Sequence, residues 1–385
     1  MPLDETGKSA PAEGPRVTSA WPLHRAAYDV QRLPQDRGSF CHAPSINLNF
    51  DQSGHVTACC YNRQFVLGTY PDDSLEAIWS GEKRRELERY LVREDLSHGC
   101  GLCQQQLRAG NLAGMRANDF NSKNVRNAPG TSWDDMRMPK RMEFELSNVC
   151  NLECVMCSGH FSSLIRKNRE HLPPLRNPYD DAFVEQLRPF LAQLGQAVFV
   201  GGEPFLNTLY YKIWDILADQ QHTPRVALVT NGTILNDKVK DVVRRLRIDV
   251  AVSVDSLDPA NYEAIRINAD YGRLRRNLDW FLDNARETGS WLGFSICPMT
   301  HNWRDVPDVF RFCIRNGLDI FCNTVFWPFE SSLRSLPTAE LQEVAEFFRT
   351  SELPRIENGV CDRATRAFQD LIKQVADWIQ DPELA

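Results

Sequence analysis

Three cysteines lie close together in the segment SNVCNLECVMCSGH, residues 147–160. Three and then two residues separate Cys150, Cys154 and Cys157. A closed zinc site usually takes four ligands and a disulfide takes a pair, so a set of three matches neither. Three thiolates on one short loop can hold three irons of a [4Fe–4S] cluster, and the fourth iron then lacks a protein ligand. The spacing therefore predicts a cluster with one iron open to a substrate or cofactor.

The elements that position this loop follow a repeating pattern between residues 141 and 328, where short strand-like runs alternate with stretches of helical periodicity. This alternation is typical of right-handed βαβ units around a parallel sheet. Six strands are too few for a full eight-stranded barrel, so we predict an α/β fold with a partial (β/α)6 barrel. The predicted strands are residues 142–147, 197–202, 226–232, 249–255, 292–298 and 319–328.

Short polar motifs follow the predicted strands at their carboxyl ends, where parallel α/β folds place their chemistry. The cysteine loop follows the first strand. The other motifs are Gly201-Gly202-Glu203-Pro204 after the second strand, Thr230-Asn231-Gly232 after the third and Ser253-Val254-Asp255 after the fourth. Each of these is by itself no more than a good turn or helix cap.

In type and order these motifs resemble those of the radical S-adenosylmethionine (radical SAM) superfamily over residues 141–328, about half of the chain. The resemblance implies that the open iron binds S-adenosylmethionine, whose reductive cleavage yields a 5′-deoxyadenosyl radical. Glu263 and Arg266 also follow the family pattern, although they equally fit a solvated helix face. A fortuitous cysteine-rich loop or a partial zinc site is the alternative. The implied cofactor contacts are Met156, Gly201, Gly202, Glu203, Pro204, Thr230, Asn231, Ser253 and Asp255.

A second group of cysteines lies nearer the amino terminus: Cys41, Cys59, Cys100 and Cys103. A Cys-x-x-Cys pair with two distant cysteines suits either zinc or an iron–sulfur cluster. The surrounding segment, residues 40–110, is predicted to form a hairpin and an amphipathic helix beginning at residue 73 or 74. Such a unit is too small to bury a core alone and usually needs a metal. Cys60 is a rival to Cys59 as the ligand.

This segment resembles the SPASM and twitch extensions of radical SAM enzymes, which carry auxiliary [4Fe–4S] clusters. In the family the extension normally follows the barrel, whereas here it precedes it. The four cysteines suffice for one cluster, which is twitch-like. The resemblance thus implies one auxiliary cluster, and structural zinc is the alternative.

The remaining regions carry less information. Residues 1–39 are polar and predict a disordered tail, and residues 329–385 predict two helices that pack on the barrel. Cys297, Cys313 and Cys322 lie in apolar predicted elements and are expected in the core, whereas Cys361 has no predicted place.

Composition excludes several classes of protein. The 385 residues are 42% hydrophobic and 25% charged, with a formal net charge of −7, which argues against a nucleic-acid-binding face. No apolar run is long enough to span a bilayer, and the start lacks the apolar core of a signal peptide. We therefore predict a cytoplasmic protein whose twelve cysteines serve metal ligation more than disulfides.

The resemblance implies an oxidoreductase or peptide-modifying enzyme that abstracts hydrogen from an unreactive C–H bond, with the auxiliary cluster transferring electrons. The substrate would be a peptide, a protein or a natural-product precursor, and oxidation of a sugar-like alcohol is the alternative. The implied partners are S-adenosylmethionine, a peptide or small-molecule substrate and an electron donor such as flavodoxin or ferredoxin. No catalytic residue is predicted. A non-catalytic iron–sulfur or zinc scaffold is the alternative from another class.

Overall fold

The computed structural model describes residues 21–108, 112, 114–122, 138–220, 223–356 and 359–380. Nine strands of these residues form one sheet, in the order β3-β2-β1-β4-β5-β6-β7-β8-β9. Strands β4 to β9 pair in parallel in chain order, which confirms the six strands of a partial barrel. The strands are β1 Asn47–Phe50, β2 His55–Thr57, β3 Gly68–Thr69, β4 Arg141–Phe144, β5 Gln196–Phe199, β6 Arg225–Thr230, β7 Asp249–Ser253, β8 Leu292–Ile296 and β9 Asp319–Cys322.

Helices alternate with the barrel strands as the sequence predicts. The helices between β5 and β9 form in the stretches of helical periodicity that separate the predicted strands. The helices are α1 Trp21–Val30, α2 Ala43–Ile46, α3 Leu75–Ser80, α4 Glu82–Val92, α5 Gly101–Arg108, α6 Ser163–Asn168, α7 Asp181–Leu191, α8 Thr208–Ala218, α9 Asp237–Leu246, α10 Pro259–Ile265, α11 Tyr271–Thr288, α12 Val306–Asn316, α13 Thr338–Thr350 and α14 Gly359–Gln380.

Successive side chains of β4 point to opposite faces of the sheet. Phe144 is fully buried, and its ring stacks on Phe50 of β1 at 5.5 Å and on Phe199 of β5 at 5.0 Å between centroids. Arg141 and Glu143 lie on the opposite face of the strand. One face of β4 therefore supplies the core, and the other supplies buried charges to the barrel interior.

The amino-terminal cysteine segment is built onto this barrel. β1 pairs in parallel with β4, from Asn47 beside Arg141 to Phe50 beside Phe144, and β2 and β3 continue the sheet in antiparallel order. The predicted hairpin and helix are present, and Ser74 caps α3 by accepting a hydrogen bond from the Ala77 amide at 3.2 Å. The segment is therefore an extension of the barrel sheet and shares its core.

Residues 21–39 differ from the sequence prediction of a disordered tail. They form α1 and a short turn, and the side chains of Tyr28 and Arg32 are buried. The Arg32 guanidinium lies over the Tyr28 ring at 4.6 Å and donates to Asn121 Oδ1 at 2.9 Å. The prediction is wrong for these residues because a few anchoring side chains hold an otherwise polar stretch. Residues 1–20 lie outside the described part of the chain.

The carboxy-terminal helices pack on the barrel as predicted. The Phe368 ring of α14 lies 4.8 Å from Phe310 of α12 and 5.7 Å from Phe348 of α13. Within the described ranges, no helix combines the length and apolar character that a membrane crossing requires.

Candidate active site

The loop of Cys150, Cys154 and Cys157 follows β4 at its carboxyl end and is held by backbone hydrogen bonds. The Glu153 and Val155 amides donate to the carbonyls of Ile267 and Ile265 at 3.0 and 2.9 Å, next to the end of α10. Cys154 is buried, and the other two cysteines are partly buried. Strand and helix ends therefore fix this loop, and the Cys157 sulfur is near enough to those of Cys150 and Cys154 to interact with them electrostatically.

Burial raises the pKa of all three thiols, to about 12 for Cys150 and Cys157. The neighbouring thiols raise the pKa of Cys157 further. The thiolate, which is the form that ligates metal, is disfavoured at this site unless a cation compensates it. This donor set fits three irons of a cluster, whose positive charge would deprotonate the thiols.

Arg266, at the end of α10, lies beside this loop. The Arg266 side chain is only 6% exposed, so the alternative of a solvated helix face is wrong for it. Its Nη1 lies 4.0 Å from Cys154 Sγ, and its Nη2 pairs with Asp255 Oδ2 at 2.6 Å. Glu263 is exposed and accepts a hydrogen bond from the Tyr271 amide at 2.9 Å. Arg266 therefore belongs to the site, and Glu263 lies at the surface.

Asp255 follows β7, where the sequence predicts a cofactor contact. Its Oδ1 accepts a hydrogen bond from the Cys297 amide at 2.8 Å, and its other oxygen pairs with Arg266. In this structure, Asp255 positions Arg266 next to Cys154. Ser253, two residues earlier, is half-buried at the end of the same strand.

The two glycines of the GGEP motif allow it to approach the cysteine loop closely. Gly201 and Gly202 have φ of +83° and +52°, in the left-handed region that favours glycine. A Cβ on Gly202 would lie 2.3 Å from the Val149 carbonyl oxygen. That carbonyl also accepts a hydrogen bond from the Glu203 amide at 2.8 Å. These contacts place GGEP directly against the residue before Cys150.

Glu203 joins two of the predicted motifs. Its buried carboxylate accepts hydrogen bonds from Thr230 Oγ1 and the Asn231 amide, both at 2.8 Å, and from the Phe205 amide at 3.2 Å. Burial raises the pKa of Glu203 to about 7, against the lowering effect of these bonds. Asn231 Nδ2 in turn donates to Asn151 Oδ1 of the cysteine loop at 2.9 Å. The structure therefore brings together the cysteine loop, GGEP and TNG.

Met156 packs in a small apolar group beside the loop. The group consists of buried Ile265, Met299 and Val325, with Val155, Met156 and Cys297 partly buried around them. Cys297 is thus partly buried against this smaller core cluster at the barrel mouth, which agrees with the predicted core position. Cys313 is buried and Cys322 packs against the main core, as predicted. Pro204 is buried at the start of a short turn after Glu203, and Cys361, unassigned from sequence, is buried in α14.

The amino-terminal cysteines come from three separate segments and line one cavity. Burial raises the pKa of each thiol, to about 12 for Cys100. Apolar side chains close the rest of the cavity, among them Phe40, Leu87, Leu91 and Phe120. The cysteines lining it are Cys41, Cys59, Cys100 and Cys103.

Cys60 lies on a different side. Among the described residues that line the cavity, Cys59 is included and Cys60 is not. Burial raises the pKa of Cys60 to about 11, and its charged neighbours are Arg116, Glu143 and Arg63. The geometry therefore favours Cys59 as the fourth member of the set.

Hydrogen-bond donors point at the sulfurs of this cavity. The Ala43 amide donates to Cys41 Sγ at 3.4 Å, and Asn62 Nδ2 donates to Cys100 Sγ at 3.5 Å. Backbone amides of Arg116 and Ala117 partly offset the rise in the pKa of Cys103 that burial causes. Donors to sulfur stabilise thiolates and tune cluster potentials. Four thiols line this cavity, which is the number of ligands in a fully ligated cluster.

Comparison with protein families agrees with both sites. Residues 144–313 match the radical SAM superfamily, and residues 41–105 match the SPASM iron–sulfur cluster-binding domain. The chain therefore contains a radical SAM domain and a SPASM domain. Its cofactors are [4Fe–4S] clusters and S-adenosylmethionine, and the SPASM match favours a cluster over zinc at the amino-terminal site.

Curated relatives of this radical SAM protein share parts of it. An uncharacterised protein of Methanocaldococcus jannaschii is 29% identical over 31% of this chain and 40% of its own length. A probable GTP 3′,8-cyclase of the same organism is 25% identical over 45% of this chain and 55% of its own. An S-adenosylmethionine-dependent nucleotide dehydratase of Lacinutrix mariniflava is 30% identical over 31% and 24%. The chain therefore spans between about a quarter and just over half of these relatives.

Solved structures with some likeness include native anSMEcpe with bound AdoMet, with 17% identity and a TM-score of 0.41 over 54% of this chain and 60% of that one. Streptococcus suis SuiB bound to S-adenosylmethionine has 12% identity and a TM-score of 0.40 over 71% and 64%.

Strand β4 and the residue after it connect the two sites of the radical SAM protein. Glu143 Oε1 pairs with Arg116 Nη2 at 2.7 Å beside the amino-terminal cavity. Glu145 Oε2 pairs with Arg63 Nη2 at 2.7 Å, and Gly201 packs against its side chain. Because the two carboxylates are two residues apart, they share one face of the chain. The buried carboxylates of Glu143 and Glu145 therefore lie between the two cysteine sites.

Proposed function

We propose that this radical SAM enzyme abstracts hydrogen from an unreactive C–H bond of a peptide or natural-product precursor. When bound, the central cluster and S-adenosylmethionine supply a 5′-deoxyadenosyl radical, which takes the hydrogen atom and leaves as 5′-deoxyadenosine. The amino-terminal cysteines would hold a cluster that could accept the second electron from the substrate, and a proton would leave to solvent. The net reaction is a two-electron oxidation of the substrate.

One observation carries this proposal. The loop with three cysteines, the GGEP motif and the TNG motif are tied together by Glu203 and Asn231 at the carboxyl ends of parallel strands. A scaffold that only stores or senses a cluster needs no such converging strand ends. The arrangement therefore supports a cofactor-binding barrel mouth more than a scaffold.

The protein's own residues have separable roles in this proposal. Cys150, Cys154 and Cys157 hold the cluster and leave one iron open. Arg266 keeps a positive charge beside Cys154, where it offsets the negative charge of the thiolate. Asp255 holds that guanidinium in place.

The amino-terminal site has a different role because its four cysteines would ligate all four irons of a cluster. That cluster cannot bind the substrate through iron, so its use is electron transfer. The buried carboxylates of Glu143 and Glu145, each paired with an arginine, support a polar environment between the two sites.

The substrate class separates two versions of the proposal. A peptide precursor is the first, and a small polar molecule such as a sugar-like alcohol is the second. Two of the relatives are named as a GTP cyclase and a nucleotide dehydratase, and these names support a small-molecule substrate as the second version.

The test uses the dithionite-reduced, cluster-reconstituted protein with S-adenosylmethionine. Candidate peptides and polyols carry deuterium at unreactive C–H positions, and the measurement is deuterium in the 5′-deoxyadenosine together with loss of two hydrogen atoms from the substrate. Deuterium transfer from one class assigns the substrate. Protein that holds clusters but never cleaves S-adenosylmethionine would favour the scaffold.

A further inference from the structure

An open groove lies beside the central cysteine loop. It has a volume of about 310 Å³ and runs between the residues just before Cys150 and the segment from α6 to residue 177. None of the roles described above uses it.

Exposed apolar side chains line part of this groove. Val149 and Leu172 are each 46% exposed, and Leu164 and Leu175 also line the groove. Grouped apolar side chains at a surface mark interaction sites more often than single ones do. The groove therefore has the apolar centre that a protein contact needs.

Two basic side chains, Arg166 and Lys167, line this groove. Residues 161–180 contain four basic side chains, at positions 166, 167, 169 and 176, against two acidic ones, at 170 and 180, so their net charge is +2. The exposed Glu170 carboxylate accepts a hydrogen bond from the Gly159 amide at 2.7 Å. Lys167 and Arg176 are exposed. This patch is positive on a chain whose net charge is −7, so it selects an acidic partner.

The groove is also close to the central cysteines. Ser163 lines it, and Ser163 Oγ accepts a hydrogen bond from the Cys150 amide at 3.3 Å. Val149 lines it too and directly precedes Cys150. A protein seated in the groove would thus be separated from the central site by about one layer of residues.

We propose that this groove docks an acidic electron-carrier protein that reduces the central cluster. The inference rests on the proposed function, which requires one electron for each S-adenosylmethionine cleaved. The carrier loses that electron, the central cluster gains it, and no covalent bond forms or breaks. The basic rim steers the carrier, and the apolar centre holds it against the cysteine loop.

The test compares Lys167→Glu/Arg176→Glu with the wild-type holoenzyme. The measurement is the rate of 5′-deoxyadenosine formation, first with fully reduced flavodoxin and then with dithionite as the electron source. We expect the flavodoxin-driven rate to fall about tenfold or more, since charge complementarity raises association rates by about 10 to 1,000-fold. The dithionite-driven rate should not change, and the salt dependence with flavodoxin should become weaker.

Arg366→Glu/Lys373→Glu is the matched control. It makes the same change in charge on the exposed face of α14, which packs on β9 at the far end of the sheet. This control should match the wild type with both electron sources. Leu172→Ser tests the apolar part, and it should weaken flavodoxin binding without altering its salt dependence.

Two results would overturn the docking proposal. One is an equal loss of rate with flavodoxin and dithionite, or loss of substrate product alone, because the groove would then serve the cluster or the substrate. The other is unchanged flavodoxin affinity in the Lys167→Glu/Arg176→Glu variant, measured by calorimetry. Calorimetry needs no turnover, so it tests docking even where S-adenosylmethionine cleavage fails and the proposed function falls.

Discussion

The central and amino-terminal cysteine sites are built in different ways. The central site takes three cysteines from one loop of eight residues, at the mouth of a barrel and beside exposed Val149. The amino-terminal site takes Cys41, Cys59 and the Cys100–Cys103 pair from separate segments and encloses them with apolar side chains. The first arrangement leaves one iron for another ligand, whereas the second would satisfy all four irons. The number of cysteines and their enclosure thus distinguish a site suited to catalysis from a site suited to electron transfer.

Both sites also place an arginine beside their cysteines, buried at the central site and half-buried at the other. Arg266 pairs with Asp255 at the central site, and Arg116 pairs with Glu143 at the other. In both cases the carboxylate comes from a barrel strand or its end. The barrel therefore orients a positive charge at each cluster position, and the two sites depend on one sheet.

The largest expected effect is the loss of the central cluster alone, which distinguishes the two sites. Cys154→Ala should reduce 5′-deoxyadenosine formation to background, because two thiolates cannot retain the central cluster. The iron content should fall from about eight to about four per chain, since each [4Fe–4S] cluster holds four irons. Iron analysis and chromatography of the dithionite-reduced reaction measure both. An unaltered yield of 5′-deoxyadenosine would refute the assignment of the three cysteines.

The second effect is selective for the amino-terminal site. Cys100→Ala/Cys103→Ala should lose that cluster while 5′-deoxyadenosine still forms, because the central loop is untouched. The product of the true substrate should fall much more than 5′-deoxyadenosine does. Circular dichroism checks the folding of the variant. Product at the wild-type rate from a well-folded variant would make the amino-terminal site structural, and zinc would then be the better assignment.

A third effect concerns stability at the central site. Asp255→Ala leaves the Arg266 charge buried without its partner, which costs about 3–5 kcal/mol of unfolding free energy. The matched control is Asp215→Ala, which breaks an exposed pair with Arg245 and should cost at most about 1 kcal/mol. Urea unfolding measures both. Equal destabilisation by the two variants would show that the Asp255–Arg266 pair is not buried as described.

The smallest effect lies where the two regions meet. Asp180 caps α7 by accepting from the Phe183 amide at 3.0 Å, and it accepts from the Tyr70 hydroxyl of the amino-terminal segment at 2.7 Å. These hydrogen bonds, that of Tyr70 first, hold the pKa of Asp180 below its usual range. Asp180→Ala should cost about 1 kcal/mol near neutral pH, as is typical for loss of a cap.

The sign of the pH dependence follows from this lowered pKa. The folded state binds the Asp180 proton more weakly than the unfolded chain does, so the stabilisation is present above the ordinary carboxyl pKa. It is lost as the pH falls through the lowered pKa of the folded state. The thermal midpoints of wild type and Asp180→Ala should therefore converge in acid. A gap that widens in acid contradicts the assignment.

Much of this architecture is readable from local sequence. Alternating apolar runs predict the barrel strands and helices because burial imposes periods of two and 3.6 residues. The cysteine triplet is equally local, since Cys150 and Cys157 belong to one loop. By contrast, the pairing of β1 with β4 joins segments about ninety residues apart, and nothing in either segment specifies it.

Several positions that the sequence left open or misplaced depend on tertiary contacts. Arg266 resembles a solvated helix residue until Asp255, from a neighbouring strand, is seen to pair with it. Tyr28 and Arg32 fix α1 through contacts with residues far along the chain, including Asn121. Cys59 and Cys60 are adjacent in sequence, and only the cavity distinguishes them.

The most direct test of the difference between the two sites is electron paramagnetic resonance of the reduced protein with and without S-adenosylmethionine. In Cys100→Ala/Cys103→Ala, S-adenosylmethionine should shift the whole remaining cluster signal, because that signal comes from the open site. In the Cys150/Cys154/Cys157 triple alanine variant, a cluster signal should remain and should not respond to S-adenosylmethionine. A shift of the signal in that triple variant would contradict the account, because it would place an open iron at the amino-terminal site.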